Sequence, residues 1–328
     1  MTKWVLLVTI VLSSLSYKTY AQLRYPDILS RGFSKTLADE KEASPLSTYC
    51  QKLGKKFKAL SWNRKPCGDV PWKQYGTTAQ GNPLIYWAFG KGKQVTLVLS
   101  GVHPDEYTPV PMGFKLARYI RQNPKSFQTD TYRVVIAPLV NPDGFLRKRP
   151  TRVNASGIDP NRNFFTKDWY QKALKTWRYR KGKSPRHFPG FFPNTEAETQ
   201  FQVFLIEQYK PDKIISIHAP LGFLDYDGPG DRVTRPKSLS DRKAKRLANA
   251  ISEKSNNYRV VDHSFFPGSL GNFAGNDKKV PTVTLELKTI DSRKVRTYWK
   301  QFLPGILQSI EYPFERYGLN GKEESLKN

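Results

Sequence analysis

Histidine, cysteine and acidic residues are all in short supply in this chain of 328 residues, and each shortage narrows the field. Two cysteines allow one disulfide, and neither stands in a nucleophile motif. Four histidines mean that any imidazole-bearing metal centre is drawn from a short menu. Asp and Glu number 28 against 54 Lys and Arg, for a formal net charge of +26, a balance that asks for an anionic partner. Long apolar runs are also few. The one from Trp4 to Leu15 is shorter than the ~20 residues that span a bilayer, and no second such run follows. No repeat is visible at any fixed period. No nucleic-acid-binding signature accompanies the basic charge, so nucleic acid is not an expected partner.

What is present begins with an export pattern. Lys3, the apolar run, and Thr19-Tyr20-Ala21 before Gln22 have the charged, apolar and small-residue parts of a secretory signal. Residues 1–21 are therefore predicted to be a signal peptide. The mature protein would be exported, periplasmic or secreted, with no stable membrane insertion after cleavage. An oxidising compartment lets Cys50 and Cys67 pair, closing a short loop worth ~3 kcal/mol. Two separate buried thiols are the alternative, but their lysine-rich surroundings offer little core. Losing Lys3 and Lys18 with the signal leaves +24, which suits a polyanionic cell wall or a membrane surface. The protein is taken as a monomer.

Residues 22–74 carry mixed charge and weak periodicity and read as a disulfide-stapled N-terminal extension; 75–315 read as the main domain and 316–328 as a polar tail. Within the main domain, short β-branched runs alternate with helical segments. Strands are expected over 83–89, 95–100, 132–138, 213–217 and 282–287, and helices over 109–122, 196–209, 241–254 and 295–312. That alternation predicts an α/β fold, a mixed and mostly buried sheet flanked by helices on both faces in an α/β/α sandwich. Sites in such sheets collect at strand ends. One segment, 167–186, interleaves eight cations with Trp169, Tyr170, Trp177 and Tyr179, and reads as a surface insertion, either a solvated helix and loop or a strip for stacking on sugar rings.

Chemistry concentrates at two strand ends. The 95–100 strand runs into Gly101-Val102-His103-Pro104-Asp105-Glu106, where His103 and Glu106 can reach one point. His218 follows the apolar strand 213–217. Two imidazoles and a carboxylate are the ligands of a catalytic zinc site, which keeps its fourth position open. A His-x-x-Glu pair alone is weak, and the motifs downstream supply the rest. His187 and His263 lie outside the motifs and read as structural or surface residues.

Those motifs are Asn141-Pro142-Asp143-Gly144, the run from Arg152 to Phe164 that contains Asp159-Pro160-Asn161-Arg162-Asn163, and Thr284-Leu285-Glu286-Leu287. In this order the chain resembles the zinc carboxypeptidases related to pancreatic carboxypeptidase A, from about Gly76 to Leu287. The resemblance implies one Zn2+ on His103, Glu106 and His218, with Glu286 as the general base for the attacking water. It implies Arg152 at the scissile carbonyl oxygen, Asn161 and Arg162 on the substrate's terminal carboxylate, and Asp159 orienting a ligand histidine. The chemistry agrees with the residue types, since a carboxylate can move the proton of an activated water and a planar guanidinium binds two carboxylate oxygens. Read singly, Asp159 and Asn161 could shape a turn and Glu286 could be a buried structural carboxylate.

The digestive enzymes carry a tyrosine upstream of the base, a slot where this chain has Phe265-Phe266-Pro267-Gly268-Ser269-Leu270-Gly271. That segment, with His218-Ala219-Pro220-Leu221, is similar instead to the bacterial murein peptide amidase branch, which cuts the γ-D-glutamyl-diaminopimelate bond. The implied substrates are peptidoglycan stem peptides. Asp225 or Asp227, in what reads as a Gly-Pro-rich loop, would meet the substrate's ammonium. The alternatives are a general metallocarboxypeptidase and a cell-wall-binding protein that has lost catalysis.

Overall fold

The computed structural model describes residues 45–63, 65–228, 239–264 and 266–313, all within one compact unit, Ser44–Asn328. The signal at 1–21, residues 22–44 of the extension and the tail at 316–328 lie outside the described residues.

An eight-stranded mixed sheet forms the centre, from β1 (Lys73–Thr77), β2 (Pro83–Phe89), β3 (Gln94–Ser100), β4 (Tyr132–Ala137), β5 (Lys213–His218), β6 (Phe223–Asp227), β7 (Val260–Val261) and β8 (Thr282–Glu286). Their spatial order is β1-β2-β4-β3-β5-β8-β6-β7. The inner run β4-β3-β5-β8 is parallel, and antiparallel strands join it on either side, β2 on β4 and β6 on β8. Parallel strands are normally covered on both faces, and here that is why 97–99 and 214–217 read as almost unbroken apolar runs.

Alternation along the strands divides the core in two. Val98, Ile215 and Ile217 face a cluster formed with α1 (Pro45–Ala59), α2 (Pro109–Gln122), α6 (Leu239–Glu253) and α7 (Val295–Glu311). Leu97, Leu99 and Ile214 face Phe201 and Leu205 of α5 (Ala197–Tyr209) and Phe273 of a π-helical segment, Gly271–Asp277. The predicted α/β/α sandwich is the observed architecture, and the nine strand and helix ranges expected from the sequence are found within about two residues of their boundaries.

The segment at 45–63 packs on the main domain. Tyr49, Leu53 and Phe57 recur at the 3.6-residue helical spacing on α1 and are buried, with Phe57 edge-on to both Phe114 and Phe145. Burying such a ring contributes on the order of 2 kcal/mol. Cys50 of α1 is bonded to Cys67, as expected. One reading changes. Residues 223–227 are a buried strand, because the β8 backbone pairs with them from Phe223↔Glu286 to Asp227↔Thr282. The 167–186 segment contains a helix, α4 (Trp169–Arg180), which is nailed down by Trp169: its ring is buried and its Nε1–H donates to the Arg162 carbonyl at 2.9 Å. Among the described residues no helix is long and apolar enough to cross a membrane.

Candidate active site

Three adjacent parallel strands end at the same place. β3 runs into Gly101, whose φ of +60° turns the chain and whose missing Cβ makes room for Leu139, delivering His103 and Glu106 above the sheet edge. β5 ends in His218 and β8 in Glu286, residues paired directly in register. The carboxyl ends of parallel strands are where an open α/β sheet places its ligands.

The donor atoms converge. His103 Nδ1 lies 3.0 Å from Glu106 Oε1 and 3.1 Å from His218 Nδ1, while His218 Nδ1 lies 2.9 Å from Glu106 Oε2. All three side chains are buried, and together they form a group able to hold a metal ion. The outer nitrogens fit that role. His103 Nε2 faces Asp159 Oδ1 at 3.0 Å and His218 Nε2 faces the Ser216 hydroxyl at 3.0 Å. With Nε2–H donated outward, each Nδ1 turns a lone pair inward, and two lone pairs beside a carboxylate are an arrangement that a divalent cation stabilises. Two imidazoles and a carboxylate are a zinc donor set with one position to spare.

Around this triangle stand the charged residues singled out in the sequence. Asp159 is fully buried and also accepts from Arg152 Nε at 2.8 Å and from the Asn161 N–H at 2.9 Å. Despite that burial, the guanidinium of Arg152 and the imidazole of His103 hold its carboxyl well below the usual range. Arg152 NH1 also donates to Glu106 Oε1 at 3.1 Å. The Arg152 backbone is anchored because its carbonyl accepts from Asn141 Nδ2 at 3.2 Å, and the Asn141 oxygen caps the short helix α3 (Pro142–Leu146) through the Gly144 N–H.

Buried asparagines build the loop that carries these groups. Asn154 accepts from the N–H groups of Ser156 and Ile158, and Asn163 donates to the carbonyls of Pro189 and Phe192. Asp143 of the Asn-Pro-Asp-Gly motif is structural, accepting from Asn82 Nδ2 at 2.8 Å and from the Thr78 hydroxyl.

Glu286 accepts from the Leu221 N–H at 3.3 Å. Burial pushes its carboxyl up, to about 7, with His218 opposing and Glu106 reinforcing the shift. A carboxylate poised near neutrality is suited to taking and returning a proton.

These side chains open onto one cavity of about 410 Å³, whose lining carries both signs of charge. Arg152, Arg162, Lys181 and Arg186 line it, and so do Asp225 and Asp227. The registers Ser216↔Thr284 and Asp225↔Thr284 put Asp225 one rung below the His218–Glu286 rung, about 7 Å along the strands, with Asp227 another rung deeper. Asp225 accepts from the His263 N–H at 2.8 Å. Asn161 Oδ1 accepts from the Leu270 N–H at 2.7 Å, and Arg162 lies 4.4 Å above the Phe266 ring. Burial lowers the Arg162 pKa to about 10, which leaves it charged.

Sequence reasoning missed Lys181, Arg186, His187, His263 and Phe266 as parts of this cavity. Arg186 comes with a partner, Asp105, two residues after His103. Around Lys181, Arg186, His187 and His263 nothing in the local pattern differs from a solvated segment, and Phe266 stands in the segment similar to the amidase branch, where sequence reasoning assigns it no role.

Comparison with known proteins gives a consistent picture. The zinc carboxypeptidase family model matches residues 69–305. Murein peptide amidase A of Vibrio campbellii is 28% identical over 224 residues, 66% of this chain and 79% of that protein. Murein peptide amidase A of Escherichia coli is 31% identical over 157 residues, 47% of this chain and 61% of that protein. Among solved structures, murein-tripeptide amidase MpaA from Escherichia coli superposes with a TM-score of 0.53 at 25% identity, over 74% of this chain and 94% of that one. Carboxypeptidase A from Helicoverpa armigera shares the fold, with a TM-score of 0.57 at 16% identity over 91% and 81% of the two chains.

Proposed function

This chain belongs to the zinc carboxypeptidase family and is a zinc metallopeptidase, and from that premise we propose that it hydrolyses peptidoglycan stem peptides at the bond between γ-D-glutamate and diaminopimelate. The observation that carries the reading is the two-signed cavity: a guanidinium, Arg162, near the catalytic rung and two carboxylates, Asp225 and Asp227, deeper on β6. The leaving residue of that bond has a carboxylate at one end and an ammonium at the far end, and the cavity offers a complement to each. The names of the amidase relatives support the same substrate class.

His103, Glu106 and His218 would hold the zinc, which when bound activates water and polarises the scissile carbonyl. Glu286 takes the proton of the attacking water and passes it to the departing amine, so its carboxyl begins and ends the cycle ionised. Arg152, oriented by Asp159 and Glu106, presents its guanidinium to the carbonyl oxygen as negative charge builds there. Arg162, with Asn161 beside it, grips the carboxylate of the leaving residue. Export by the N-terminal segment would deliver this strongly basic protein to an anionic wall, where its charge concentrates it.

A general carboxypeptidase acting on basic C-terminal residues would use the same acidic floor. Incubation of the purified enzyme with muropeptides and with ordinary peptides, followed by product masses, decides between them. Release of diaminopimelate from a γ-glutamyl tripeptide is expected; trimming of plain C-terminal residues with intact muropeptides would overturn the proposal. Export is tested separately, by fractionating cells and sequencing the mature N-terminus, expected near Gln22.

A further inference from the structure

We propose that Lys181 is a second anion-binding residue of the cavity, holding the distal carboxylate of the leaving residue and so selecting diaminopimelate over lysine. The inference rests on the substrate reading above and deepens it.

Lys181 is the residue that closes α4, in the basic segment that reads from sequence as surface decoration. The structure turns it inward. Trp169 anchors the start of the helix to the Arg162 carbonyl, and Asn272 of the π-helical segment donates to Asp168 at 2.9 Å. At the far end, the Lys181 N–H bonds the Thr176 carbonyl, the Ser184 N–H bonds the Lys181 carbonyl, and Trp177 Nε1–H bonds the Ser184 carbonyl at 2.8 Å. The backbone of Lys181 is therefore fixed from both sides, and its side chain lines the cavity.

Its ammonium lies 4.6 Å from the centre of the Phe266 ring, the same ring that Arg162 covers at 4.4 Å. The two distances laid end to end limit the separation of the cations to about 9 Å. Two like charges share one aromatic ring, and Asp159, the carboxylate that attracts Lys181, is already taken by His103, Arg152 and Asn161. A ligand that brings two negative groups complements such an arrangement.

Diaminopimelate brings them at a spacing within that limit. Its two carboxylate carbons are separated by six C–C bonds, about 7–8 Å when extended. Its distal carbon also carries an ammonium, for which Asp225 and Asp227 of β6 stand in the lining of the same cavity. Lysine is the same side chain without the distal carboxylate. A residue with one extra charge engages one sign of the lining; a zwitterionic end engages both.

The test is a substrate pair, L-Ala-γ-D-Glu-diaminopimelate and L-Ala-γ-D-Glu-L-Lys, assayed with the zinc-loaded wild type, Lys181→Ala and Lys181→Arg. A charge-assisted contact to a carboxylate corresponds to about 10–100-fold in kcat/KM. The wild type should favour the diaminopimelate peptide by that factor. Lys181→Ala should lose it, with the loss falling at least ten times more heavily on that peptide than on the lysine peptide, and Lys181→Arg should recover most of it. Equal losses on both peptides, or none on either, overturn the inference and leave the parent reading standing. Failure of the wild type to cleave either peptide overturns both.

Discussion

Asp159 stands 3.0 Å from His103 Nε2 through one carboxylate oxygen and holds the Arg152 guanidinium at 2.8 Å through the other. One buried charge thus orients an imidazole of the His103-Glu106-His218 group and a guanidinium that lines the cavity. An amide in its place can still accept from one partner, but it points an NH2 at the other and removes the charge. Asp159→Asn should therefore weaken zinc retention by about 10–100-fold. Competition against a graded chelator measures it. Zinc held as tightly as in the parent would mean that the histidine is oriented by something else.

Glu286 makes a different kind of contribution. It closes β8 next to His218 without belonging to the metal-donor triangle, so Glu286→Gln should leave zinc content at one per chain. Turnover should fall by about 10²–10⁴, the range for a lost general base. Metal analysis and kcat on the same preparation check both halves. A fall in zinc content parallel to the fall in kcat would assign Glu286 to the metal rather than to the proton.

The grouping of His103, Glu106 and His218 was legible in the sequence because each of them ends or follows a strongly patterned strand, so that location and residue type agreed. The strand read as a loop, 223–227, was not legible. Its Phe-Leu-Asp-Tyr-Asp alternation puts both acids on the cavity face, a pattern that violates the usual apolar-inward rule and is stabilised by pairing with β8. Lys181 escaped for a related reason. What turns it inward is Trp169, one buried ring in a run of eight cations, and its contact with the Arg162 carbonyl spans a loop whose path no periodicity reports.

Away from the site, Glu198 on α5 gives a pH-dependent stability. It is buried, accepts from Asn154 Nδ2 at 2.8 Å through one oxygen, and among the described residues has no hydrogen-bond partner for the other. Burial pushes its carboxyl up from 4.5 to about 7, with Asp143 and Glu196 adding to the rise and Asn154 opposing it. The folded state thus prefers the protonated acid. Its contribution is fully present below about pH 4.5 and is lost as pH rises through about 7, a difference on the order of 3 kcal/mol. Glu198→Gln keeps an acceptor for Asn154 without the charge, so it should match the parent near pH 4.5 and exceed it at pH 8. Urea unfolding at the two pH values tests this; a constant offset between variant and parent would place the effect elsewhere.

The disulfide is predicted to act mainly on the unfolded chain. Cys50 and Cys67 are 17 residues apart, and a loop of that size corresponds to about 3 kcal/mol of lost unfolded-state entropy. Replacing both by serine should lower stability by roughly that amount while leaving kcat intact, since α1 lies on the sheet face away from the cavity. Chemical denaturation and a standard assay report the two quantities. A drop in kcat out of proportion to the folded fraction would tie α1 to the site.

Gly271 offers a way to move Asp227 without changing its charge. The residue opens the π-helical segment, and a Cβ built there would lie 2.1 Å from Asp227 Oδ2, while Gly275 leaves 2.8 Å to the Asp227 Cβ. The two glycines thus form a cradle in which the carboxylate is held against the cavity. Gly271 does not have positive φ, so alanine there strains the packing rather than the backbone. Overpacking of this kind costs about 1–3 kcal/mol, which the fold relieves by displacing the short Asp227 side chain. With the diaminopimelate tripeptide, Gly271→Ala should raise KM by about tenfold with a smaller effect on kcat, because the distal ammonium loses a partner before the scissile bond is disturbed. An Asp227→Asn variant should show the same split. If Gly271→Ala instead lowers kcat at constant KM, the strain has propagated along β6 to the Phe223–Glu286 rung, and Asp227 is a support for the catalytic end rather than a contact for the substrate.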